Sequence, residues 1–304
     1  MFYLFIIVMI AFAIVLTRFY LLKKEIKRTT RQLHQFNQNQ TSKKIDINFN
    51  DRHFEELAKE INNQIDLTKQ AEAVKRSTEN ELKQAISHIS HDIRTPMTSI
   101  LGYIQFLESD EVSPGLKKEY IATIKNSAGR LKVLLEDFFE LSIIEQTEYP
   151  MKMERVRFND LIVEALLGFY EEFNKRKIEP EMHIPDNDVM AMADASAVKR
   201  VVENLVVNAI RYSMGNVAIC LEERDEAVQL RISNTVDKLS EQDVHHMFDR
   251  FYKADQTRTG KGTGLGLPIG KSLMEKMNGK ISADLKGNRL TMVCEWNSVR
   301  TPTQ

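Results

Sequence analysis

His91 is followed by an acid at Asp92 and a hydroxyl at Thr95, within the string Ser90-His91-Asp92-Ile93-Arg94-Thr95-Pro96. An imidazole is largely neutral and nucleophilic near cytoplasmic pH, and its nitrogen can take a phosphoryl group from a nucleoside triphosphate and pass it on. Asp92 is placed to hold one ring nitrogen in the required tautomer or to take its proton. Thr95 falls one helical turn after His91, on the same face. Pro96 has no N–H for the carbonyl of Asp92, so the helix is expected to kink or loosen beside the nucleophile. The bland alternative for a lone surface histidine is a solvated, inert side chain.

A second group lies downstream. Asn204 and Asn208 are four residues apart, hence on one helix face, and Arg211 follows with Tyr212. A neutral amide oxygen suits Mg²⁺ beside a triphosphate, where a carboxylate would add negative charge, so this pair offers a candidate metal ligand. Arg211 can meet phosphate oxygens. Gly262, Gly264 and Gly266, in Gly262-Thr263-Gly264-Leu265-Gly266-Leu267, precede a helix-like stretch. Glycines let backbone approach phosphates closely, and helix N-terminal N–H groups bind anions.

The elements that must carry these residues are legible as patterns. Leu82, Ile86, Ile89, Ile93, Pro96, Ile100, Tyr103 and Leu107 alternate by fours and threes, a heptad seam. With Ile86, Ile93 and Ile100 at position a, His91 falls at the outermost position f. Ser113-Pro114-Gly115 supplies a turn with Ser113 as N-cap. A second seam runs through Ile121, Ile124, Ala128, Leu131, Leu135 and Phe138. Two antiparallel helices with one stripe each are buried most economically as a dimeric four-helix bundle, the alternative being a hairpin packed on the next domain. Beyond Pro150, strand-like runs at 189–193, 216–222, 227–233, 280–285 and 290–296 mix with helix-like stretches at 161–175, 196–212 and 267–277, predicting an α+β sandwich.

Residues 1–22 are apolar apart from Thr17 and Arg18, and Lys23, Lys24, Lys27, Arg28 and Arg31 follow at once. Such a helix spans about 33 Å, one bilayer core. The basic cluster predicts a single uncleaved span with everything after residue 22 in the cytoplasm. A span beginning at Met1 leaves no room for an extracytoplasmic domain, so any input is expected through the bilayer, from the cytoplasm or through a membrane partner, of which a transporter is the favoured case. Residues 23–80 read as a helical signalling linker, interrupted around Asn37–Asn50. Lys+Arg (42) and Asp+Glu (43) nearly balance, which argues against a nucleic-acid partner. Cys220 and Cys294 lie far apart and read as apolar thiols.

The string HISHDIRTPMTSILGYIQFL resembles the H-box of sensor histidine kinases, with the core H-[DE]-x-[RK]-[TN]-P. Residues 200–213 resemble the family's N-box, with Arg211 in place of Lys; Phe248–Tyr252 resemble the F-box, and GTGLGL resembles the second glycine box. The first glycine box departs from the family: Asn234 stands where an adenine-binding Asp is expected, and both glycines are absent. An Asn oxygen can still accept that hydrogen bond. The resemblance covers roughly residues 80–297. It implies a phosphoacceptor domain at 81–148 and, at 152–298, an ATP-binding domain of the Hsp90/gyrase/MutL type. It implies ATP and Mg²⁺ as cofactors, Asn208 as the metal ligand, His91 as phosphoacceptor, Asp92 as its acid/base assistant and Thr95 as the residue orienting water in dephosphorylation. Asn204, Asn208, Arg211, Tyr212, Asn234 and the three glycines would bind nucleotide, with Lys253, Arg258 and Lys261 in a lid over the phosphates. The expected partners are a second copy of the chain and a response regulator.

Two other readings stand beside it. An ATP-hydrolysing machine of the same nucleotide fold would need a Glu four residues before the metal-binding Asn; this chain has Asn204 there, which cannot act as a general base. A non-catalytic membrane scaffold or degenerate kinase is kept open by the eroded first glycine box.

Overall fold

In the computed structural model the described residues are 2–38, 43–46, 51–108, 112–224, 227–254 and 262–297. The chain divides into two units, Met1–Gln84 and Ala85–Gln304. The first contains α1 (Phe2–Asn37) and the opening turns of α2 (Arg52–Leu107). By length and composition α1 is apolar enough to cross a membrane. Between the helices Ile45 is buried, and Asn62 on α2 holds its backbone from both sides. Ile45 N donates to Asn62 Oδ1 at 2.8 Å, and Asn62 Nδ2 donates to the Ile45 carbonyl at 3.0 Å. One amide thus satisfies the donor and the acceptor of a connector residue that no sheet or helix pairs.

The second unit begins with the rest of α2, which runs helical through Pro96, and α3 (Pro114–Ile144). Ser113 caps α3, accepting from Leu116 N, with Pro114 in the first turn as expected. The Thr95 hydroxyl donates to the carbonyl of His91 at 3.2 Å, a local side-chain bond beside the site where proline removes an amide donor. Ile89 and Ile93 turn toward the core, and Tyr103 packs on Tyr120 at 5.2 Å between ring centroids. On α3 the buried line is Ser127, Leu134, Leu141 and Ile144. Of the expected seam, Ile121 and Leu135 are exposed in the single chain, because the apolar stripe is two side chains wide and the hairpin uses only one edge. Met97, Leu101 and Ile104 are exposed on α2. The side chain of Leu82 lies outside the described set.

The remainder is an α+β sandwich. Its elements are β1 (Glu154–Arg157), α4 (Phe158–Leu167), α5 (Tyr170–Arg176), β2 (Glu181–His183), β3 (Met190–Ala193), α6 (Ala195–Tyr212), β4 (Val217–Arg224), β5 (Ala227–Thr235), α7 (Glu241–His246), α8 (Gly266–Lys276), β6 (Lys280–Lys286) and β7 (Arg289–Asn297). A five-stranded sheet has the order β2-β4-β5-β7-β6, with β2 parallel to β4 and the other pairs antiparallel; β1 and β3 pair separately. Alternation buries one face: Leu221, Leu230 and Cys294 lie in register across β4, β5 and β7. Against that core α6 sets Val198, Val201, Val202 and Leu205, and α8 sets Ile269, Leu273 and Met274. Burial pushes the Cys294 thiol well up, as expected of an inert core cysteine. The other sheet face is polar, with Arg231 paired to Glu222 at 2.6 Å. The single helix expected over 161–175 is two, broken at Gly168 and Phe169.

Candidate phosphoacceptor and nucleotide site

His91 projects from α2 with 75% of its side chain exposed, as position f requires, and its Nδ1 lies 3.2 Å from Asp92 Oδ1. The second Asp92 oxygen pairs with the Lys253 ammonium at 2.6 Å. Burial pushes the Asp92 carboxyl upward, but the bonds to Lys253 and His91 together outweigh it and hold it below the ordinary value. It therefore stays ionised, and an ionised carboxylate accepts from Nδ1–H and leaves the Nε2 lone pair free. Lys253 was expected over the phosphates; here its ammonium meets the hairpin instead. His88 and Phe251 add an edge-to-face ring contact at 6.5 Å between centroids.

The nucleotide residues are set by α6. Asp194 is its N-cap, accepting from Ser196 N at 2.9 Å and Ala197 N at 3.1 Å, and from Lys152 N at 2.8 Å. Burial raises this carboxyl, yet Ser196 and the three amides prevail and hold it low. With Val198, Val201, Val202, Leu205 and Ala209 buried, Asn204, Asn208 and Arg211 fall outside the core face, half-buried. The glycine run packs on them. A Cβ at Gly266 would lie 3.2 Å from Asn204 Oδ1, and one at Gly262 would lie 2.7 Å from an Arg211 guanidinium nitrogen and 3.7 Å from the Tyr212 hydroxyl. Gly264 has φ +71°, and a Cβ there would meet the Phe251 backbone at 2.9 Å, so only glycine fits. α8 starts at Gly266 with no side-chain cap, leaving its first N–H groups for an anion. Asn204 Nδ2 is buried with no hydrogen-bond partner among the described residues. An orphaned amide, a glycine cradle and an uncapped helix fit a nucleoside triphosphate.

Asn234 is buried on β5, opposite Val217 and Leu290. Among the described residues no hydrogen bond joins Asn208 or Asn234 to the rest of the predicted set. Arg258 and Lys261 lie outside the described residues. Sequence reasoning missed a further polar group. Thr263 Oγ1 donates to Asp137 Oδ2 at 2.7 Å, Arg200 Nε donates to Glu140 Oε1 at 2.8 Å, and Arg250 donates to Glu145 at 2.7 Å. Arg200 is one turn before Asn204 and on its face, the single signal that pointed toward it.

Residues 81–147 match the family model described as "His Kinase A (phospho-acceptor) domain". Residues 193–297 match "Histidine kinase-, DNA gyrase B-, and HSP90-like ATPase". The chain is 30% identical over 241 residues to the sensor histidine kinase YcbM of Bacillus subtilis (strain 168), covering 78% of each. It is 27% identical over 269 residues to the sensor protein VanSC of Enterococcus gallinarum, covering 87% of this chain and 72% of that one. Among solved structures, the histidine kinase ThkA in complex with the response regulator protein TrrA superposes with a TM-score of 0.62 at 25% identity, over 76% of this chain and 66% of that one.

Proposed function

This chain belongs to the sensor histidine kinase family, and on that premise we propose that it moves the γ-phosphoryl group of ATP onto Nε2 of its own His91 and then to the aspartate of a response regulator. The chain is a protein histidine kinase that binds ATP. The observation that carries the site assignment is the exposed His91, tied through Nδ1 to an ionised Asp92 and open at Nε2. In this reading Nε2 attacks the γ-phosphorus, the bond to the bridging oxygen of ADP breaks, and the Nδ1 proton moves toward Asp92. Asn204, Asn208, Arg211, Tyr212 and the glycine loop would hold the nucleotide, and Asn234 would accept from the adenine amino group. Asn208 would hold Mg²⁺, which neutralises triphosphate charge when bound.

ThkA, crystallised with its response regulator, supports a partner of that class here. Thr95, on the His91 face, would orient water when the phospho-regulator is dephosphorylated. The exposed Ile121 and Leu135 on α3, with Met97, Leu101 and Ile104 on α2, suit burial against a second copy. We read 1–22 as the membrane span, 23–80 as the linker, 81–148 as the phosphoacceptor domain and 152–298 as the ATP domain. A membrane partner, for example a transporter, would supply the stimulus.

The test is incubation of the chain with γ-labelled ATP and Mg²⁺. Label should be lost in acid and persist in base, as a phosphoramidate requires. His91→Gln should abolish labelling and leave nucleotide binding intact. Label that persists in the variant defeats the assignment of His91.

A further inference from the structure

Thr263 lies between Gly262 and Gly264, inside the loop that would wrap the phosphates. Its hydroxyl donates to Asp137 on α3 at 2.7 Å and accepts from Leu265 N at 3.3 Å, just ahead of α8. Asp137 is also reached by Arg200 at 3.2 Å, and its side chain is only 16% exposed. Arg200 forks onto Glu140, the neighbouring carboxylate one turn along α3. Two hairpin carboxylates thus stand against the N-terminal end of the glycine loop and the Arg200 face of α6. Like charges at short range in a half-buried setting repel strongly, and Arg200 pairs with both acids. The Asp137 carboxyl is already pushed above its ordinary value by burial, despite the bonds from Thr263 and Arg200.

We propose that the Asp137–Thr263 contact, braced by Arg200 and Glu140, is a clasp between the hairpin and the phosphate loop that a nucleoside triphosphate displaces. It rests on the nucleotide-site reading above. The loop cannot hold a triphosphate and lie against a buried carboxylate without a large repulsion between the two anions. Nucleotide and clasp are therefore coupled antagonists. Linkage makes the coupling reciprocal: bound nucleotide weakens the clasp by the factor by which the closed clasp weakens nucleotide binding, so a change in the hairpin that opens the clasp favours nucleotide. A signal arriving along α2 and α3 would then act on nucleotide loading as well as on His91.

The experiment uses the full chain in detergent and titrates a non-hydrolysable ATP analogue with Mg²⁺. Asp137→Asn keeps an acceptor for Thr263 and removes the charge, so affinity should rise about five-fold or more. Glu140→Gln should shift affinity in the same direction by less. The second readout places cysteines at Glu145 and Arg250, an ion pair outside the glycine loop itself, in a Cys220→Ser background, and follows cross-linking by a bifunctional maleimide. The analogue should slow cross-linking in the otherwise native chain. Affinity unchanged or weakened in both variants, or cross-linking indifferent to nucleotide, overturns the clasp. A native chain that binds no analogue removes the functional reading and the clasp together. A chain that binds and labels normally, yet fails these tests, loses the clasp alone.

Discussion

Asn208 is useful in the proposed site because it is uncharged. Its oxygen can ligate a cation without adding to the charge of a triphosphate. Asn208→Ala should remove Mg²⁺-dependent ATP binding, measured by titration calorimetry, and with it autophosphorylation. Asn208→Asp keeps an oxygen and adds a charge, and it should fail as well. Affinity unchanged in both variants would assign the metal elsewhere. Single residues of this kind were legible in the sequence where their partners are helical neighbours. His91 with Asp92, and Asn204 with Asn208, are set by spacing alone. Lys253 was legible as a cation, but its partner was not, because Asp92 lies 161 positions away. Asp137 and Thr263 are 126 positions apart, and nothing local in either string marks the other.

Elements follow the same rule. Strands β4, β5 and β7 were readable from alternation, since each buries one face, and β6 alternates half-buried with exposed positions. β1, β2 and α7 were not, because they are short: β2 is exposed along its length and α7 buries no residue. The stripe on α3 was visible, but not which edge of it the hairpin would use, since sequence periodicity does not choose between two adjacent lines of apolar side chains. Asp194 anchors the element that carries the nucleotide residues. Its loss in Asp194→Ala should destabilise the chain by about 1–2 kcal/mol, from the lost cap and the orphaned Lys152 amide. The folded carboxyl is held below its ordinary value, so this stabilisation is present above the ordinary carboxylate pKa. It is lost as pH falls through the lowered value. Urea denaturation of both proteins should show a gap near neutrality that narrows below about pH 4.

At the scale of the whole chain, the apolar α1 predicts dependence on its surroundings. Replacing residues 1–22 with an unrelated apolar span of equal length should leave basal autophosphorylation in vesicles intact and abolish the response to stimulus. A full response after replacement would reduce this segment to an anchor. The composition and motifs made the two catalytic parts legible, but not their contact. That contact sets ion pairs beside apolar side chains, Leu134, Leu141 and Ile144 of α3 belonging to one buried cluster with Leu273 and Met274 of α8, and pairs such as Arg250 with Glu145, 45% and 32% exposed, are individually weak.

Weakness is workable because of the joint between those parts. Residues 145–153 connect α3 to β1, and fully extended they reach at most about 30 Å. Within so short a tether each part meets the other at an effective concentration of the order of millimolar. Ion pairs too feeble to join two free molecules can then remain closed for most of the time. Lengthening the joint would dilute the two parts and open the contact without altering any residue that forms it.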